Sequence, residues 1–144
     1  MKRTLILFLL IMSSAFAFFV FGFEKVKIED YEWKMRTIAH VEENQVVYDA
    51  VEEKDDIHQG AAVIDMTLIA KDGKITILDV TNGIFYEGTY LITSKNPKGT
   101  DYRIMIDEKS GCATAAMTTY LSGTKEPTLP IDLDGYSMYF YGEK

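Results

Sequence analysis

The chain has 144 residues and a formal net charge of −7, from 15 Lys and Arg against 22 Asp and Glu. That length holds one domain, and the carboxylate excess, with no run of Lys and Arg, excludes a phosphate-binding surface and hence a nucleic-acid partner. The single cysteine, Cys112, excludes an internal disulfide, and 12% aromatic residues exclude a disordered chain.

The first 23 residues differ from the rest. Met1-Lys2-Arg3 is basic, and Thr4 to Phe23 is apolar apart from Ser13, Ser14 and Gly22. Lys2 and Arg3 supply +2, so the remainder carries −9 (−7 − 2 = −9). Ala15-Phe16-Ala17 fits a signal-peptidase cut. The apolar run is also long enough, at about 20 residues, to span a bilayer core of about 30 Å. Cleavage after Ala17 would leave Phe18-Phe19-Val20-Phe21-Gly22-Phe23 at a free terminus, which favours an uncleaved signal anchor. Both readings keep Lys2 and Arg3 inside and the body outside the cytoplasm. The expectation is a single-pass protein of the cell membrane, secreted if the signal is cut, with the membrane as partner of its N-terminal segment. An exported domain without disulfides fits a bacterial surface. The expected division is anchor or signal over 1–23, a spacer over 24–30 and a folded domain over 31–144.

Trp33 to His40 has strand composition. Gln45 to Val51 is valine-rich. Val47, Ala50, Val51 and Lys54 also fit helical spacing within 42–54, but Val46-Val47-Tyr48 favours a strand. Glu52 to Gln59 reads as a charged loop. Ala61 to Ala70 alternates Ile64, Met66 and Leu68 against polar residues, and Asp72-Gly73 then marks a hairpin. Lys74 to Val80 continues with Ile75 and Ile77 on one face, and Asn82-Gly83 turns the chain again. Phe85 to Thr93 sets Tyr86, Gly88, Tyr90 and Ile92 on one side. Ser94 to Gly99 is a longer loop, and Tyr102, Ile104 and Ile106 share a face. Asp107 to Gly111 is a turn, Cys112 to Leu121 a strand, and Gly123 to Pro127 a break. Thr128 to Leu133 follows, where Pro130 points to an edge or a bulge. Asp134-Gly135 leads into the last strand, Tyr136 to Tyr141. Turns at this spacing predict an all-β fold, an antiparallel up-and-down meander of about eight strands. Closing it into a barrel removes its edges.

This pattern resembles the small lipocalin-like (calycin) domains of exported bacterial proteins. The resemblance rests on Tyr31-Glu32-Trp33-Lys34-Met35, on Ile64 to Gly73, on Lys74-Ile75-Thr76-Ile77 and on Tyr86-Glu87-Gly88-Thr89-Tyr90. It implies a barrel whose early tryptophan, Trp33, closes one end. Tyr31 stands where the lipocalin signature has glycine, and Tyr136 to Tyr141 lacks the arginine that lipocalins lay over that tryptophan.

One interior face carries the functional promise: Met66, Tyr86, Tyr90, Tyr102, Ile104, Met117 and Met138. In a closed barrel it is either a filled core or a cup for a small apolar or amphipathic ligand. Gly88 among these residues would leave room for a ligand or a packed ring. Trp33, Gly73, Gly83, Gly88 and Gly135 are the expected structural positions. His40 and His58 lack partners at metal-ligand spacing, so no metal or cofactor is expected. Cys112 has neither a helix N-terminus nor a histidine to activate it and reads as a strand residue. Asp132-Leu133-Asp134-Gly135 reads as a turn, since the closing ligands of a calcium loop are missing. Glu87 faces away from the tyrosines, and with no acid–base pair the chain is not read as an enzyme. Two functions therefore stand side by side. An open interior lined by Tyr90 and Met117 would indicate a ligand-binding module. An interior packed to both ends would indicate a protein-interaction, inhibitor or immunity module contacting its partner through loops near Asp55 and Asn96.

Overall fold

The structure is a computed structural model that describes residues 25–53 and 59–144. The expected anchor over 1–23 lies outside the described residues, as do Asp55, Asp56 and His58. A 3-10 turn, Ile28–Asp30, precedes β1 (Glu32–Glu42), β2 (Gln45–Val51), β3 (Ala62–Val63), β4 (Met66–Lys71) and β5 (Lys74–Asp79). There follow β6 (Ile84–Asn96), β7 (Gly99–Ile106), β8 (Lys109–Thr119), β9 (Lys125–Leu133) and β10 (Tyr136–Glu143). Among the described residues no helix is long and apolar enough to cross a membrane.

Eight of these strands, β1 and β4 to β10, close into an antiparallel barrel. Neighbours in sequence pair from β4 to β10, and β10 returns to β1 from Glu32↔Glu143 to His40↔Tyr136. The two-residue turns suit this twist because both central residues have positive φ: 51° and 78° at Asp72 and Gly73, 47° and 83° at Asp134 and Gly135. Glu43-Asn44 and Asp107-Glu108 take the same conformation without glycine.

Four local expectations give way to this architecture. Gln45–Val51 is a strand, but it lies outside the barrel wall. β1 meets β4 only at Trp33↔Leu68 and Lys34↔Thr67, and beyond these its edge belongs to β2. Ala61–Ala70 divides at Ile64-Asp65. There Ile64 N–H donates to Val51 C=O, and Asp65 N–H to the Thr81 hydroxyl, so β3 runs parallel to β2 while β4 joins the barrel. Pro130 is neither at an edge nor in a bulge. It lies between β8 and β10 on the outer face, and the β8–β9 ladder skips the residues opposite it. The loop expected over Ser94–Gly99 shrinks to Pro97-Lys98. Asn96 Oδ1 accepts from Lys98 N–H (3.0 Å) and Gly99 N–H (3.1 Å), which lets β6 and β7 run nearly to the turn.

The core occupies the interior. Trp33, Met35, Leu68, Ile75, Tyr102, Ile104, Leu129, Ile131 and Phe140 are almost wholly removed from water. A bulge at Arg36 shifts the inward phase of β1 from odd to even positions, so Met35 and Ile38 both face in. The bulge sends the Arg36 side chain outward, over the Tyr141 ring (4.5 Å), to pair with both Glu126 oxygens (2.9 and 3.0 Å). This guanidinium holds the Glu126 carboxyl below its usual range.

Residues 26–30, read from sequence as spacer, seal one end of the barrel. Val26 and Ile28 are buried, and Lys27 N–H donates to Asp30 Oδ2 (2.9 Å). Trp33 Nε1–H donates to Ile28 C=O (2.7 Å), and Ile28 N–H donates to the Tyr102 hydroxyl (3.0 Å). The Tyr90 hydroxyl donates to Glu29 (2.7 Å). Burial first, and then this bond to a carboxylate, push the Tyr90 phenol from 10.0 up to about 12. Burial likewise raises Tyr102 and Tyr141, the latter also bonded to Glu52. The fold thus holds these phenols neutral. Their contribution is complete below the ordinary value of 10.0 and is lost as pH rises through the folded value, about 12 for Tyr90. The melting temperature should stay level up to about pH 10 and fall above it, more shallowly in Tyr90→Phe; an equal fall in that variant would remove Tyr90 from the account.

Candidate functional site

The other end of the barrel is ringed by the turns after β1, β5, β7 and β9. Inward residues close to these turns leave a cleft of about 210 Å³. Its walls are Ile38, Met66, Ile77, Ile106, Leu133 and Met138. Tyr86, Tyr136, Asp107 and Lys109 stand at its rim. Tyr136 separates the cleft from an outer depression floored by His40, Val41, Glu42, Asp134 and Gly135, which shares Tyr136 and Lys109 with it. The Tyr136 ring stacks on His40 at 4.0 Å between centroids, 5° from parallel, and the Lys109 ammonium lies over the same ring at 5.0 Å. His40 Nε2 is 3.7 Å from Glu42.

All seven expected ligand residues belong to the interior or pack against it, as the alternation required. They occupy different depths. Met66, Tyr86 and Met138 line the cleft. Tyr90 and Tyr102 are bonded into the seal at the far end, 5.7 Å apart edge to face. Ile104 is wholly buried between these levels, and Met117 packs against the core without lining the cleft. The interior is therefore filled at the Tyr90 end and open at the Tyr86 end. Gly88 makes room for neither ligand nor ring: the Met105 carbonyl oxygen and Ile106 Cγ1 occupy the space a side chain would need. Gly73, Gly83 and Gly135 take positive φ at turns, and Trp33 is buried at the sealed end.

Sequence reasoning missed Ile38, Ile77, Ile106, Asp107, Lys109, Leu133 and Tyr136. The available signal was their nearness to alternate turns, because every second turn of a closed meander lies at the same end. Cys112 is exposed on β8, and Glu87 is exposed on the outer face opposite Thr76. Among the described residues no group of three His, Cys, Asp or Glu is placed to hold a metal ion. No family model matches the sequence, and it matches neither a curated protein nor a solved structure.

Proposed function

We propose that this chain is an extracytoplasmic, lipocalin-like binding module, tethered by its N-terminal segment, that takes a small apolar or amphipathic molecule at the open barrel end. The observation that carries this reading is the combination of six apolar walls with a polar rim in a cleft of about 210 Å³. Drug-sized pockets run to roughly 300–1,000 Å³, so the occupant is small. At roughly 30 Å³ for a unit the size of a water molecule, the cleft takes a chain of about seven methylenes or one ring.

A protein-interaction module is the second reading. It is favoured by Val46 and Val47, exposed at 63% and 54% on a strand appended outside the barrel. The test purifies the full chain from bacteria whose C-terminal tag is removed by protease added to intact cells, and then weighs it by native mass spectrometry. A co-purifying molecule displaced by Met138→Trp is the expected result. A protected tag would overturn the placement outside the cytoplasm. A chain that carries no adduct and takes up no short amphiphile would overturn the binding reading.

A further inference from the structure

The apolar walls say little about which small amphiphile enters, but the charges at the mouth are one-sided. Asp107 and Glu108 form the β7–β8 turn, Asp134 begins the β9–β10 turn, and Glu42 and Glu43 stand at the β1–β2 turn. Asp107 lines the cleft itself, and Glu42 and Asp134 line the depression beyond Tyr136. Lys109 is the one Lys or Arg lining either space. Among the described residues, no Lys or Arg lies within 4 Å of these carboxylates, and His40 Nε2 approaches Glu42 at 3.7 Å. Carboxylates around a low-dielectric hollow focus a negative potential on its entrance.

The aromatic surface at the rim points the same way. The Lys109 ammonium already rests over the Tyr136 ring, so the chain's own cation occupies a place suited to an ammonium group. An anionic headgroup would meet Asp107, Asp134 and Glu42 with a single lysine to offset them.

We propose that the open end selects amphipathic cations: a short alkyl or aryl ammonium whose apolar part fills the cleft and whose charge lies among Asp107, Asp134 and Glu42, beside Tyr136. This inference rests on the binding reading above and adds the charge class of the ligand. Asn tolerates positive φ, so Asp107→Asn and Asp134→Asn, both at φ 47°, remove charge without straining the turns.

The experiment places the full chain in phosphatidylcholine nanodiscs with its methionine methyls labelled. Hexylammonium, hexanol and hexanoate are titrated separately at low salt. The Met66 and Met138 methyl resonances report on the cleft, and buried Met35 serves as the control. Hexylammonium should bind about tenfold more tightly than hexanoate, with hexanol between them and the spread narrowing as salt is added. The Asp107→Asn/Asp134→Asn double variant should bring the three together, and Lys109→Gln should tighten hexylammonium alone. Hexanoate binding as tightly as hexylammonium, or a preference unchanged in the double variant, would overturn the charge selection and leave the binding reading standing. If none of the three moves Met66 or Met138, the binding reading fails and the charge selection fails with it.

Discussion

Trp33→Ala should lower the stability of the barrel by about 3–5 kcal/mol, measured by chemical denaturation. Trp33 has no exposed surface, and its ring meets Tyr31 edge to face at 5.4 Å. Removing the indole opens a cavity where the 26–30 segment crosses the barrel end. It also leaves the Ile28 carbonyl without the donor that now lies 2.7 Å away. Trp33→Phe separates the two contributions. It keeps most of the packing and loses the hydrogen bond, so a smaller cost of about 1–3 kcal/mol is expected. The loss should also be local to the seal before it is global. Amide exchange at Ile28, whose N–H is held by Tyr102, should accelerate more in Trp33→Ala than exchange at Ile131, which lies two strands from β1 in β9. An unchanged denaturation midpoint in Trp33→Ala would overturn the sealing role.

Gly88→Ala is expected to destabilise the barrel by about 1–3 kcal/mol, toward the upper end. Gly88 and Thr89 are the β6 residues paired on both sides, to β5 through Ile75 and Lys74 and to β7 through Ile106 and Met105. The strand changes partners here, which brings the β7 backbone very close. A methyl group would overlap the Met105 carbonyl oxygen and press on Ile106 Cγ1 at 2.7 Å. The Ile106 side chain has rotamers to give, but the Met105 carbonyl is fixed in the ladder. Ile106→Ala, introduced together with Gly88→Ala, should therefore fail to restore stability. Recovery in that double variant would show that the side chain, and not the backbone, sets the limit.

Most of the wall could be read from the order of residues. Met66, Leu68 and Ala70, then Ile75 and Ile77, alternate cleanly, and Asp72-Gly73 names the turn between them. The Glu43-Asn44 and Asp107-Glu108 turns were harder, because they reach the same backbone conformation without the usual glycine. The split at Ile64-Asp65 was illegible for a different reason. Its cause is a hydrogen bond to Val51, an accident of topology that leaves no trace in local alternation. The segment holding Val26 and Ile28 alternates charged and apolar residues only from Lys25 to Glu29, too briefly to mark a strand, and its burial shows that it belongs to the core. The site divides along the same line. Alternation tells which side of a strand a residue faces, and it placed all seven expected residues inside. It carries no information on depth along the barrel axis, so Tyr86 at the mouth and Tyr90 at the seal looked alike.

The appended β2 strand has one more consequence. β1 covers one flank of β2, while β3 covers the other only at Ala50 and Val51. Gln45–Asp49 thus turns a row of backbone donors and acceptors outward with no partner among the described residues, the kind of rail along which like chains zip together. Residues 41–53 hold five carboxylates (Glu42, Glu43, Asp49, Glu52 and Glu53) and not one Lys or Arg. Two such rails brought side by side would meet acid against acid. Mutual repulsion opposes the stacking of copies of this chain along this edge.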